Sequence, residues 1–174
     1  MGNILNREVT IEYAVMDDIP EIMKIMGVAL SLVPDKAWFA VDDETFMRRH
    51  IAEQGFTLKA VVEGELAGFL TVRYPKGDTD NLGDYINLSE EEKMFVVHME
   101  SAAVLPEYRG LRIQNQLMAK GYELLKGTEY KYVMGTAHPD NQFSVNNFRK
   151  LGYKVVAEVE KYGGLRRYVW YKAV

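Results

Sequence analysis

The stretch Val104-Leu-Pro-Glu-Tyr-Arg-Gly-Leu-Arg-Ile-Gln-Asn-Gln116 joins an apolar strand to an amphipathic helix through a proline stop and an Arg-Gly corner. Such a corner leaves the first backbone N–H groups of the helix without partners. Those donors, together with the positive end of the helix dipole, attract anions, phosphate above all. The flanks decide the topology. Met94 to Val104 reads as a long strand, and Tyr130 to Thr136 as another. Between them, Leu111 to Lys126 carries Ile113, Leu117, Met118, Leu124 and Leu125 on one helical side. Strand, helix, strand at this spacing is a crossover unit, so the two strands are expected to run parallel.

Working outward, Val9 to Tyr13 alternates as a strand. Asp17-Asp18-Ile-Pro20-Glu21 starts a helix with an acidic N-cap, and Ile19, Ile22, Met23, Ile25, Met26 and Leu30 form its stripe. Pro34 breaks it. A second helix is expected from Asp43 to Glu53, closed by Gly55. Phe56 to Val62 and Leu66 to Tyr74 flank the turn Glu63-Gly64-Glu65 as a hairpin. Pro75 to Lys93 is polar and acidic and reads as a solvated loop with a short helix near Ser89. Asn141 to Leu151 is a short helix closed by Gly152. Tyr153 to Tyr162 and Leu165 to Tyr171 are strands joined at Gly163-Gly164. The order is β-α-α-β-β-β-α-β-α-β-β: an α/β (α+β) domain with a mixed, mostly antiparallel sheet of about seven strands, a parallel central pair and flanking helices.

The 174 residues suit one domain, taken as residues 9–174 after a tail of 1–8. A net charge of −4 and a sequence pI near 5.5 argue against a nucleic-acid partner. There is no cysteine, so disulfides, thiolate metal sites and cysteine nucleophiles are excluded. No apolar run approaches the ~20 residues of a membrane span, and the N-terminal residues lack a signal-peptide core. A cytoplasmic protein without membrane or metal partners is the expectation.

With those corners in that order, the chain resembles the GCN5-related N-acetyltransferase (GNAT) superfamily from about Val9 to its C-terminus. The family's acetyl-CoA motif is Arg or Gln, two residues, Gly, one residue, then Gly or Ala. It aligns here as Arg109-Gly110-Leu111-Arg112-Ile113-Gln114. Asn141, Ser144, Phe148, Gly152 and Tyr153 match a second family pattern. The resemblance implies a splayed central strand pair and acetyl-CoA as co-substrate. Backbone amides from Arg109 to Gln114 would hold the pyrophosphate, and Ala103 and Val104 would pair with the pantetheine arm. Asn141 would touch that arm or cap its helix. It also implies an acyltransferase that acetylates a primary amine, small-molecule or peptide, by direct attack. Three departures stand out. Arg112 replaces a usual glycine, and Gln114 replaces Gly or Ala, changes that helical φ/ψ would favour. Phe148 replaces a tyrosine that in many members returns a proton to the CoA thiolate. Tyr108 and Tyr153 are the substitutes in sequence. These departures motivate an alternative: a GNAT-fold sensor that binds CoA or acyl-CoA without turnover.

Amine acetylation needs the neutral amine, and an amine pKa of about 10 leaves little of it at neutral pH. In the family a base often lies four or six residues before the Val that ends the strand, here Glu100 and His98. Their equal parity puts them on one face. His138-Pro-Asp140 reads as a turn and helix entry rather than a base. Trp38 and Phe39 sit between the first two helices, where substrates of the family often bind, although such residues are more often core. Asp78, Asp80 and Asp84 form an acidic loop that a cationic amine would favour, and Arg166-Arg167 reads as exposed sheet surface with one residue facing each way. The fold admits a homodimer, although no interface stripe is visible.

Overall fold

The computed structural model describes residues 6–39 and 41–174. Most of the expected tail, residues 1–5, therefore lies outside the described residues. Seven strands form one sheet: β1 (Val9–Tyr13), β2 (Gly55–Val62), β3 (Glu65–Arg73), β4 (Val96–Val104), β5 (Tyr132–Ala137), β6 (Lys154–Lys161) and β7 (Leu165–Ala173). Their order is β1-β2-β3-β4-β5-β7-β6. The β4–β5 pair is parallel and the others are antiparallel.

Helices cover both faces. α1 (Ile19–Leu32) and α2 (Glu44–Arg49) lie on one, where Ile19, Ile22, Ile25, Met26 and Met47 bury against Phe69 and Ala103. Each such side chain contributes about 1.5–3 kcal/mol. α3 (Ile113–Leu125) and α4 (Gln142–Lys150) lie on the other, over a larger core that includes Leu70, Val72, Met99, Leu117, Phe148 and Trp170. Asp18 does not cap α1. Its carboxylate accepts from the Val15 N–H (2.7 Å) and pairs with Lys59 (3.0 Å). α2 is shorter than the expected Asp43–Glu53: Asp43 caps it by accepting from Phe46 N–H (2.7 Å), and the chain turns at His50, which is buried.

The acidic stretch 75–93 is not a solvated loop. Two 3-10 turns, Leu82–Ile86 and Glu92–Phe95, fold it onto the sheet. Leu82 packs with Val96, Met134 and Val169 in a third core. Buried Asn81 donates to the carbonyls of Lys76 (2.8 Å) and Lys93 (3.0 Å). The acidic side chains serve as anchors: Asp78 and Asp80 grip Arg73 (2.7 and 2.8 Å), and Asp84 grips Lys93 (2.8 Å).

Two features of β4 open the site. Its pairing with β5 runs only from Val96↔Tyr132 to Met99↔Gly135, after which the strands part. Against β3, Thr71 pairs with Ser101 but Val72 with Met99, so Glu100 is the extra residue of a β-bulge. The bulge reverses the alternation along the strand. Val97 and Met99 join the α3–α4 core, and so do Ala102 and Val104, while Ala103 joins the α1–α2 core.

Candidate active site

Where β4 and β5 part, a cleft of about 320 Å³ opens, within the usual size of a small-molecule site. Its lining comes from both faces of the sheet. Leu70, Met118, Gln114, Ser144 and Phe148 belong to the α3–α4 side. Trp38, Phe39 and Asp42 come from the connection between α1 and α2, and Thr136, Tyr162 and Arg167 from β5 and the β6–β7 hairpin. Trp38, expected in the core, thus lines the cleft and stacks on His138 (6.1 Å between centroids), while Phe39 lines it and also packs against the α1–α2 core.

The Arg109-Gly110 corner has the unpaired donors its sequence implied. α3 makes its first bond from Gln116 N–H to the Arg112 carbonyl (3.0 Å). Among the described residues, the N–H groups of Gly110, Arg112, Ile113, Gln114 and Asn115 donate to nothing. Of the amides expected to serve the corner, two are engaged: Arg109 N–H donates to the Pro106 carbonyl (3.2 Å) and Leu111 N–H to that of Tyr108 (3.4 Å). Leu111 and Ile113 also bury their side chains, so Ile113 offers the corner only its backbone and Leu111 offers no free donor. Arg112 is not helical as expected. It sits at φ 56°, ψ 37°, the left-handed conformation that favours glycine. That conformation explains the usual glycine at this place in the motif.

Beyond Met99, the β5-facing edge of β4 has no strand partner among the described residues. Ala102 lines the cleft beside it, and Ala103 is buried on the opposite face. Asn141 caps α4, accepting from Ser144 N–H (3.4 Å), and still lines the cleft. Phe148 stacks on Trp170 (5.2 Å between centroids, 5° between planes) and lies over Gly135. A β-carbon at Gly135 would fall 2.7 Å from the Phe148 ring. Gly135→Ala is therefore expected to lower stability by about 1–3 kcal/mol by displacing the ring. A thermal melt checks it; an unchanged melting temperature contradicts the packing.

His98 and Glu100 face the same side and touch, Nδ1 to Oε2, at 3.2 Å. His98 Nε2 accepts from Leu82 N–H (3.0 Å), so the proton resides on Nδ1 and is donated to Glu100. Both ring nitrogens are thus used, and His98 acts as a brace between the folded loop and Glu100. Burial alone would raise the Glu100 pKa. The hydrogen bond from His98 works against it, the Arg73 guanidinium (3.4 Å) adds to that pull, and the carboxyl is held below its ordinary range. A second carboxylate, which sequence reasoning missed, completes the site. Asp42 accepts from the Ser101 hydroxyl. Burial pushes its carboxyl up to about 6 against that hydrogen bond, and the Glu100 charge adds to the rise. Two neighbouring carboxyls with pKa values driven apart mark an acid–base site.

Neither substitute tyrosine lines the cleft. Tyr108 is buried in the large core under Arg7, and the buried Tyr153 hydroxyl has no hydrogen-bond partner. The tyrosine in the cleft is Tyr162, just before Gly163-Gly164. Its hydroxyl lies 3.3 Å from Thr136 Oγ1, and burial followed by the Glu100 charge raises its pKa. His138 accepts from Asp140 N–H (3.1 Å) in the expected turn. Among the described residues no cluster of three His, Asp or Glu side chains is placed to hold a metal, and no helix is long and apolar enough to cross a membrane.

The chain and its fold have counterparts among known proteins. A family model described as the acetyltransferase (GNAT) family matches residues 21–153. No curated protein matches the chain in sequence. Among solved structures, Arabidopsis thaliana NAA60 in complex with acetyl-CoA is similar with a TM-score of 0.76 at 14% identity, over 96% of this chain and 99% of that one. The ribosomal-protein-alanine N-acetyltransferase of Brucella melitensis is similar with 0.72 at 17%, over 95% and 99%. Salmonella typhimurium yncA with its cofactor acetyl-CoA gives 0.70 at 16%, over 95% and 94%.

Proposed function

Because the chain belongs to the GNAT acetyltransferase family, we propose that it moves the acetyl group of acetyl-CoA to a primary amine by direct attack within a ternary complex. The observation that carries this reading is the cleft itself. It joins a strand edge and a run of amides without partners to two carboxyls of divided pKa.

The residues present fit the co-substrate. The free amides of Gly110 and of Arg112 to Asn115 would hold the pyrophosphate, with the exposed Arg109 and Arg112 side chains adding charge. The open edge of β4 through Val104 would take the pantetheine amides as an added strand, beside Asn141 and Phe148. Acetyl-CoA supplies the activated acyl group as a thioester. Glu100, kept ionised by His98 and Arg73, attracts and orients the acceptor ammonium. Asp42, poised near 6, takes its proton, so that the amine lone pair is free. Backbone N–H groups at the parted edge of β4 would serve the thioester oxygen, on which charge develops. Tyr162, the hydroxyl within the cleft, returns a proton to the departing thiolate.

Two measurements test the reading in turn. Calorimetry with acetyl-CoA should show saturable binding, and thiol release with a panel of amines should show turnover. Binding without release for any amine would instead support the sensor reading that Phe148 raised. For the tyrosine, Tyr162→Phe should lower kcat at least about tenfold and leave acetyl-CoA affinity unchanged. An unaltered kcat would remove Tyr162 from the mechanism.

A further inference from the structure

Among the described residues two arginines are buried, Arg73 and Arg167, and their surroundings differ. Arg73, 9% exposed, is surrounded by carboxylates: Asp78, Asp80 and Glu100. Arg167, 2% exposed, has none. Among the described residues no acidic side chain lies within ion-pair distance of it. Its one side-chain hydrogen bond runs from Nη1 to the carbonyl of Arg166 (2.7 Å), and its charge lies 5.5 Å from the centre of the Tyr162 ring. The adjacent Arg166 is exposed and paired with Glu158 (2.8 Å), as sheet surface should be. Arg167 departs from the surface position expected for it. It turns inward and lines the cleft. A charge held out of water without a partner is costly, so folds keep one where a ligand completes it.

The face it occupies identifies that ligand's side of the site. Val96, Met134 and Val169 share the core beneath the folded loop. Side chains alternate along a strand, so His98 on β4, Thr136 on β5 and Arg167 on β7 share that face, and Glu100 touches His98 there. α3, whose free amides suit the CoA phosphates, covers the other face. The anion that Arg167 awaits therefore belongs to the acceptor. With Nη1 engaged, Nε and Nη2 remain, and this edge of the fork matches a planar carboxylate with two parallel hydrogen bonds.

We propose that Arg167 is the carboxylate receptor of the acceptor site, so that the acetylated amine belongs to a small zwitterion, an amino acid or a close relative. This rests on the acetyltransferase reading above, with Asp42 and Glu100 at the amine end and Arg167 at the acid end of one cleft. Polyamines carry only cationic groups, and at a peptide N-terminus the α-carboxyl is tied up as an amide.

Matched acceptors test it. Amino acids are compared with their amides, their decarboxylated amines and their aminophosphonate analogues, by thiol release and by thermal shift of the protein alone. The expected result is a kcat/KM at least about tenfold higher for the carboxylate than for its amide, a ratio near one in Arg167→Met, and a carboxylate-induced rise in melting temperature that this variant loses. Equal turnover of acid and amide by the native protein overturns the proposal, and so does a preference for the phosphonate. If no amine releases thiol, the acetyltransferase reading fails and the thermal shift decides this one. A rise with amino acids, absent with their amides and absent in Arg167→Met, sustains it, and no difference between acid and amide overturns it.

Discussion

Asp42→Asn is expected to lower kcat/KM for the acceptor by about 10³-fold, within the range of a lost general base, while acetyl-CoA still binds. The amide keeps an oxygen to accept from Ser101, so the loop geometry survives. In the native protein, activity should fall as pH drops through about 6, where burial and the Glu100 charge place the Asp42 carboxyl. In the variant that limb should vanish. Stability should move the other way. The folded pKa is raised, so Asp42's contribution is fully present below its unfolded value and is lost as pH rises through about 6. Above that pH the asparagine variant should melt no lower than the native protein. Lost activity with a preserved limb would clear Asp42 of the role, and a melting temperature well below native at pH 7 would mean that the loss is structural.

The second large effect is at Glu100. Glu100→Gln should lower kcat/KM about 10²-fold, because the ammonium loses a fixed charge in a largely desolvated site. The fold should hold: Gln can accept from His98 Nδ1–H, and Arg73 keeps Asp78 and Asp80. The telling result is in the pH profile. The Glu100 charge helps to raise the Asp42 pKa, so its removal should shift the acidic limb to lower pH. An unmoved limb would mean that the two carboxyls do not sense each other.

The readable parts of the molecule are those specified by neighbours in the chain. Period-two and helical patterns located the strands and the stripe of α1, and the Arg-Gly corner announced free amides. What was hidden depends on contacts between distant segments. The stretch 75–93 looks solvated because its acids are local, whereas the groups that pin it, Arg73 and the His98 ring, lie on β3 and β4. Nothing around Asp42 marks it out from Asp43, a plain helix cap. Its difference arises from burial against Ser101 on β4. Alternation already turns Arg167 away from Arg166, but only the packing shows that its face is covered. Tyr162 alone left a trace, as the aromatic residue at the mouth of a Gly-Gly turn.

The bulge at Glu100 makes this carboxylate more than a side chain. Glu100 has no partner on β3, and the pairs on either side of it, Thr71 with Ser101 and Val72 with Met99, are complete without it. Taken out, it would leave a regular ladder in which Ala102 and Val104 still face α3 and Ala103 still faces α1. The carboxylate is thus carried on a residue that the sheet does not need, set into the strand with the local bend and added twist of a bulge. A chain of this kind can gain or lose its acceptor-side charge by inserting or deleting one residue, with both cores left in register.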